Sequence, residues 1–181
     1  AFYINTNQQD CSREISVLLK KAFFPIPITG QILSFSVLEP IVSQATVLVP
    51  MLVIGSVSFC FPGIYVYGTL VQPVHALNLC DTRKEILSRH PDSLIIAADA
   101  SWDKKAPGYV TIANGALYPG AAVHKNAACR HIHITGIVNT AGMLEQLTLQ
   151  TTRLSTVISI AEQISNGILL MIPQSDFRQT L

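Results

Sequence analysis

Charge is what this chain has least of. Only 13% of its 181 residues are Asp, Glu, Lys or Arg, about half the share usual in a soluble domain. The net charge of +1 excludes the basic field that marks many nucleic-acid binders. Between residues 40 and 74 there is no charged residue at all. Cysteine is sparse as well: Cys11, Cys60, Cys80 and Cys129 stand far apart with no CxxC spacing. That spacing indicates neither a zinc knuckle nor a secreted disulfide scaffold, and predicts free thiols in a reducing compartment. No G-x-S-x-G elbow and no G-x-x-x-x-G-K-[ST] loop occurs, so serine-nucleophile hydrolases and P-loop enzymes are poor fits, and Ser155 and Ser159 read as helix residues. No basic stretch precedes an apolar one as in a secretory signal. The chain opens at Ala1, as it would after processing of a precursor or removal of Met. The expected location is intracellular, cytoplasmic or within a viral particle.

What is present begins with length, which suffices for one domain with an appendage or two small ones, with a real core. The densest apolar stretch, residues 45–63, matches the roughly 20 residues of a membrane helix. Pro50, Pro62, the β-branched run VLVPMLVIGSVSF and the scattered Gly and Ser favour two or three buried strands instead. A membrane span is the weaker reading.

Residues 1–11 read as loose. Residues 12–23 predict a short helix capped by Ser12, with Ile15, Leu18 and Leu19 as its stripe and Lys20 and Lys21 at its end. The charged segment 81–90 predicts a solvated helix joining an apolar part, residues 1–92, to a C-terminal part, residues 93–181. In that second part strands are expected at 93–101, 109–113, 116–124 and 131–137, with Asn114-Gly115 as a hairpin turn. Residues 138–140 supply caps for a helix over 141–164 with Leu144, Leu147, Thr151, Leu154, Ile158 and Ala161 on one face. Asn166-Gly167 ends it, and 168–172 forms a further strand. Antiparallel hairpins, then helix, then strand make an α+β or α/β layout with a mixed sheet.

Three acids fall at informative places: Asp99 at a strand end, Glu145 near a helix start, and Asp176 after an apolar run. Brought together they would form a hard-cation site for Mg²⁺ or Mn²⁺, and two such ions promote phosphodiester cleavage. Each acid also has a plainer role as turn residue, first-turn residue or N-cap respectively. Asp103 is a rival first acid, but beside Lys104 and Lys105 it reads as turn chemistry. Cys129, His131 and His133 alternate, so a strand puts them on one face, either as zinc ligands or as a partly exposed row facing solvent or nucleic acid. Trp102 can stack on a base or sugar, or pack at a domain seam.

The segment Ala97-Ala98-Asp99-Ala100-Ser101 resembles the first-strand signature of ribonuclease H domains, especially those attached to reverse transcriptases of retroviruses, hepadna-like viruses and related retroelements. Residues 139–149, NTAGMLEQLTL, are similar to that family's glutamate-bearing helix, and residues 172–176, IPQSD, to its fourth strand. The resemblance covers residues 93–181, without the family's fourth acid and downstream histidine. It implies a ribonuclease H-like mixed sheet with packed helices, preceded by an apolar β-rich segment. It further implies two-metal hydrolysis of the RNA strand of RNA–DNA hybrids, with Asp99, Glu145 and Asp176 as catalytic metal ligands and Ser101 and Trp102 against the substrate. A polymerase, or a second copy of the chain, is the expected partner of the apolar segment. The competing expectation is a non-catalytic structural or assembly protein, in an oligomer, a viral shell or at a membrane.

Overall fold

The structure, a computed structural model, describes residues 2–23, 32–38, 64–68, 72, 74–75, 78–91, 93–104, 106–114, 131–140 and 153–171. Within them the chain forms β1 (Phe2–Asn5), α1 (Cys11–Phe23), β2 (Ile32–Leu38), β3 (Ile64–Tyr67), β4 (Val74–His75), α2 (Leu79–Arg89), β5 (Leu94–Asp103), β6 (Tyr109–Asn114), β7 (His131–Thr140) and α3 (Leu154–Met171). The strands share one mixed sheet in the order β1-β6-β7-β5-β2-β3, with β4 beside β2. β7, β5, β2, β3 and β4 run parallel, while β6 is antiparallel to both β1 and β7.

Alternation along the strands builds two cores. Ile96 and Ala100 of β5, Ile132, Ile134 and Val138 of β7, Val110 and Ile112 of β6 and Ile4 of β1 pack on one side with Cys11, Ile15 and Leu19 of α1 and Val157, Ile160, Ala161, Ile164 and Ile168 of α3. On the other side Ile95 and Ala97 meet Val74 and Ile86, the latter from α2. Helices therefore cover both faces. Each fully buried isoleucine contributes about 2–3 kcal/mol. The exposed pairs Asp10–Arg13, Asp81–Lys84 and Glu85–Arg89 contribute about 0–1 kcal/mol each, so burial decides the fold.

Two glycines set the spacing of the layers. A Cβ on Gly136 of β7 would lie 2.7 Å from Ile160 Cγ2. A Cβ on Gly167 would collide with the Ile15 side chain and sit 3.2 Å from the Ser12 carbonyl oxygen. α3 thus rests directly on β7 and on α1.

Several expectations are corrected. Residues 2–5 are an edge strand, because Ile4 alternates into the core. Ser12 donates its hydroxyl to Gln163 Oε1 of α3 instead of capping its own helix. Residues 168–171 continue α3, with Ile168 and Met171 extending its buried stripe, so Gly167 is a packing position and no strand starts there. β5 extends to Asp103 and β7 to Thr140. β5 is not the hairpin neighbour of β6: β5 pairs in parallel with β7, and β6 lies beyond β7, while the second strand of the Asn114-Gly115 hairpin lies outside the described residues. Strands from residues 1–92 and 93–181 share the sheet, through β2–β5 and β1–β6. The expected strand at 116–124, the start of the helix at 141 and the apolar run 45–63 lie outside the described residues. Among the described residues α3 alone is long and apolar enough to cross a membrane, and its buried face is spent on the sheet and α1.

Gly167→Ala is expected to lower stability by about 1–3 kcal/mol through overpacking at the α1–α3 crossing, read as a lower urea midpoint, whereas Asn166→Ala on the exposed side shifts it little. Partial recovery in Gly167→Ala with Ile15→Val confirms the contact. Burial, aided by the Glu14 carboxylate, pushes the Cys11 thiol from 9.0 up to about 11. Its neutral form is the one the core holds, so its stabilising contribution is intact below pH about 9 and is lost as pH rises through about 11. With Cys60 and Cys129 replaced by Ser, a thiol reagent at pH 8 should label exposed Cys80 and spare Cys11.

Candidate functional site

The parallel strands determine where a ligand can sit. From β2 the chain moves outward to β3 and then returns past β2 to β5 on its other side. In open α/β sheets such a reversal opens a crevice beyond the carboxyl ends of the two strands where the order switches, here β2 and β5. β5 delivers Asp99 to that edge. Asp99 follows Ala98, the last residue of β5 paired with β2. By alternation it shares the face of Ile95 and Ala97, the α2 side. It is half-buried, and its Oδ1 accepts the Ala100 N–H at 2.7 Å.

Register extends this face across the sheet. Asp99 is level with Thr135 of β7, Thr135 with Thr111 of β6, and Thr111 with Tyr3 of β1. One polar rank therefore crosses four strands, spanning about 14 Å at the usual strand spacing. The next rank holds Ser101, Ile137, Tyr109 and Asn5. On the other side of Asp99 lies a rank of Ala97, His133 and Ala113.

Past Ser101 the pairing skips Val138, so Trp102 lies opposite Asn139 and Asp103 opposite Thr140. A bulge of this kind bends and twists the strand end. Asp103 closes β5 as a strand residue and not as turn chemistry. Its Oδ1 accepts the Lys104 N–H, and its Oδ2 accepts the Tyr3 hydroxyl at 3.0 Å, fastening the edge strand to the end of β5. That hydrogen bond and the negative charge of Asp103 hold the Tyr3 phenol above its ordinary range.

Of the sequence-predicted residues, Asp99 and Ser101 stand together on this face and Trp102 follows them in β5. Glu145 and Asp176 lie outside the described residues, as does Cys129; His131 and His133 are both in β7. Among the described residues no group of three or more His, Cys, Asp or Glu is placed to hold a metal ion. One carboxylate with neighbouring hydroxyls gives hard oxygen donors of the right chemistry for Mg²⁺, but these residues alone do not form a two-metal site. With Asp99 and Asp103 on the strand that forms this edge, the local charge disfavours a polyanion unless cations neutralise it. Sequence reasoning missed Tyr3 and the threonine rank. The signal was the alternation of residues 2–5, with Ile4 against Tyr3 and Asn5.

Residues 3–167 match the family described as "Protein of unknown function (DUF1256)". The chain is 39% identical over 117 residues to "Uncharacterized protein YyaC" of Bacillus subtilis (strain 168), a match covering 64% of this chain and 57% of that relative. The match thus spans little more than half the relative's length. No solved structure matches.

Absorbance titration of the tyrosines should reveal one phenol ionising above the ordinary range. Asp103→Asn should return it toward normal, and Tyr3→Phe should remove it. An unchanged titration curve in Asp103→Asn would refute the β1–β5 tie.

Proposed function

The chain belongs to the DUF1256 family of proteins of unknown function, and from that premise we propose that it is a hydrolytic enzyme whose centre is Asp99. The supporting observation is the position of this one carboxylate: half-buried, at the switch point, in a polar rank of the sheet. There Asp99 takes a proton from an attacking water and returns it to the leaving group. Thr135, level with it on the next strand, and Ser101, two residues on, position the reacting groups.

The narrower form of the proposal is ribonuclease H-type cleavage of the RNA strand of RNA–DNA hybrids. It additionally requires Glu145 and Asp176 to join Asp99 around Mg²⁺ or Mn²⁺. Two acids on β5 make a polyanionic substrate unwelcome without such ions, so this form carries a strict divalent-cation requirement. Non-catalytic assembly is the second reading, favoured by Phe2, 63% exposed on edge strand β1. Through it a second copy of the chain could extend the sheet.

The full chain with a labelled RNA–DNA hybrid and Mn²⁺ is expected to release RNA fragments. Asp99→Asn should reduce this by about 100-fold or more with an unchanged circular dichroism spectrum. Divalent ions should raise the melting temperature of the parent and not of Asp99→Asn. Cleavage that survives in Asp99→Asn would end the assignment of this residue. A chain that cleaves nothing, gains no stability from cations and sediments as a β1-dependent dimer would favour assembly.

A further inference from the structure

α2 packs Ile86 and Leu79 into the core. Asn78, Thr82, Glu85 and Arg89 follow one another at intervals of three and four residues, so they share a different stripe of the helix. Between this stripe and Tyr65 and Tyr67 of β3 is a cleft of about 340 Å³. That is near the lower end of the roughly 300–1,000 Å³ typical of small-molecule sites. Asp99 is not part of its lining.

The two walls differ in kind. On the sheet side, Tyr65 and Tyr67 share one face of β3 by alternation, and both meet the buried ring of His90. The Tyr65 and His90 centroids are 4.2 Å apart, and the Tyr67 hydroxyl lies 3.1 Å from His90 Nε2. The His90 carbonyl in turn accepts the Ser93 hydroxyl at 2.7 Å and the Ser93 N–H at 3.2 Å. This wall is therefore braced before any guest arrives, which lowers the ordering cost of binding. On the helix side, Arg89 is paired with Glu85 at 2.9 Å, with the two side chains 64% and 47% exposed. A pair so open to water holds together weakly, and both of its members can be taken over by a guest. Gln72, Asn78 and Thr82 add neutral polar groups to the lining.

Charge selects the guest. Glu85 and Arg89 are the charged residues of the lining, one of each sign. A simple anion that took the guanidinium would strand the Glu85 carboxylate beside it, and a simple cation would strand Arg89 in the same way. A guest that carries both charges a few bonds apart replaces both halves of the pair at once. We infer that the cleft between α2 and β3 binds a free α-amino acid with a polar side chain, its carboxylate on Arg89 and its ammonium on Glu85. The planar fork of Arg suits a carboxylate, and the neutral polar lining suits a polar side chain over an apolar one.

L-glutamine and L-serine are titrated calorimetrically into the full chain. At least one should bind with Kd below about 1 mM. Its N-acetyl form, which lacks the ammonium, and its α-amide, which lacks the carboxylate, should each bind about tenfold more weakly or worse. Arg89→Gln should weaken the free amino acid about tenfold and erase the discrimination against the α-amide. Glu85→Gln should weaken it similarly and erase the discrimination against the N-acetyl form. Both substitutions lie on exposed helix surface and should leave the circular dichroism spectrum unchanged; the capped ligands put the same question to the unaltered chain. Four results would each overturn the inference: no heat from either amino acid at about 5 mM, capped forms binding as tightly as the free one, both variants weakening all three forms alike, or Glu85→Gln tightening the complex.

Discussion

The seating of α3 is the constraint from which the rest of the architecture follows. At Gly136 the helix touches β7 through Ile160, and at Gly167 it touches α1 through Ile15; neither contact has room for one more carbon atom. Close-packed interiors transmit such limits and do not absorb them. With the α1 and α3 layer pinned at this separation, the even-numbered residues of β7 and β5 are committed to it. A slip of one residue in either strand would send Ile132, Ile134 and Ile96 to the opposite side.

That commitment has a functional corollary. Once Ile96 and Ala100 face α1 and α3, Asp99 must face the other way, toward the α2 side. The parallel order of β2, β3, β5 and β7 then sets the switch point between β2 and β5, and register supplies the company: Thr135, Thr111 and Tyr3. No residue of that rank adjoins another in sequence. The α2 layer likewise does not close, since α2 buries Ile86 and Leu79 but turns a polar stripe to the cleft beside β3.

Periodicity made much of this readable in advance. The amphipathic pattern of residues 12–23, the charged stretch before Pro91, and the apolar runs leading into Asp99 and from His131 onward all became the expected elements, as did the mixed sheet with packed helices. Partnership was not readable. Nothing in 109–114 says that its neighbours are β7 and β1 and not β5, because strand pairing depends on the assembled sheet. Asn166-Gly167 has the composition of a helix stop, yet Ile168 and Met171 keep the buried period and the helix runs on. Gly136, inside a β-branched strand, was the legible hint of a close approach. Asp99 was legible as an acid at the end of an apolar strand; that it stands at the switch point of the sheet followed only from the crossover of β3.

The edge strand also bears on how the molecule is made. Among the described residues β1 pairs only with β6, so Phe2 waits for Ile112, and Ile15 of α1 waits for Gly167. At ordinary ribosomal speeds the gap between Phe2 and Ile112 is roughly 5–20 s. During that interval the apolar sides of α1 and β1 lack the partners that cover them in the folded sheet. A strand and a helix whose partners lie so far along the chain are among the last elements to find their place.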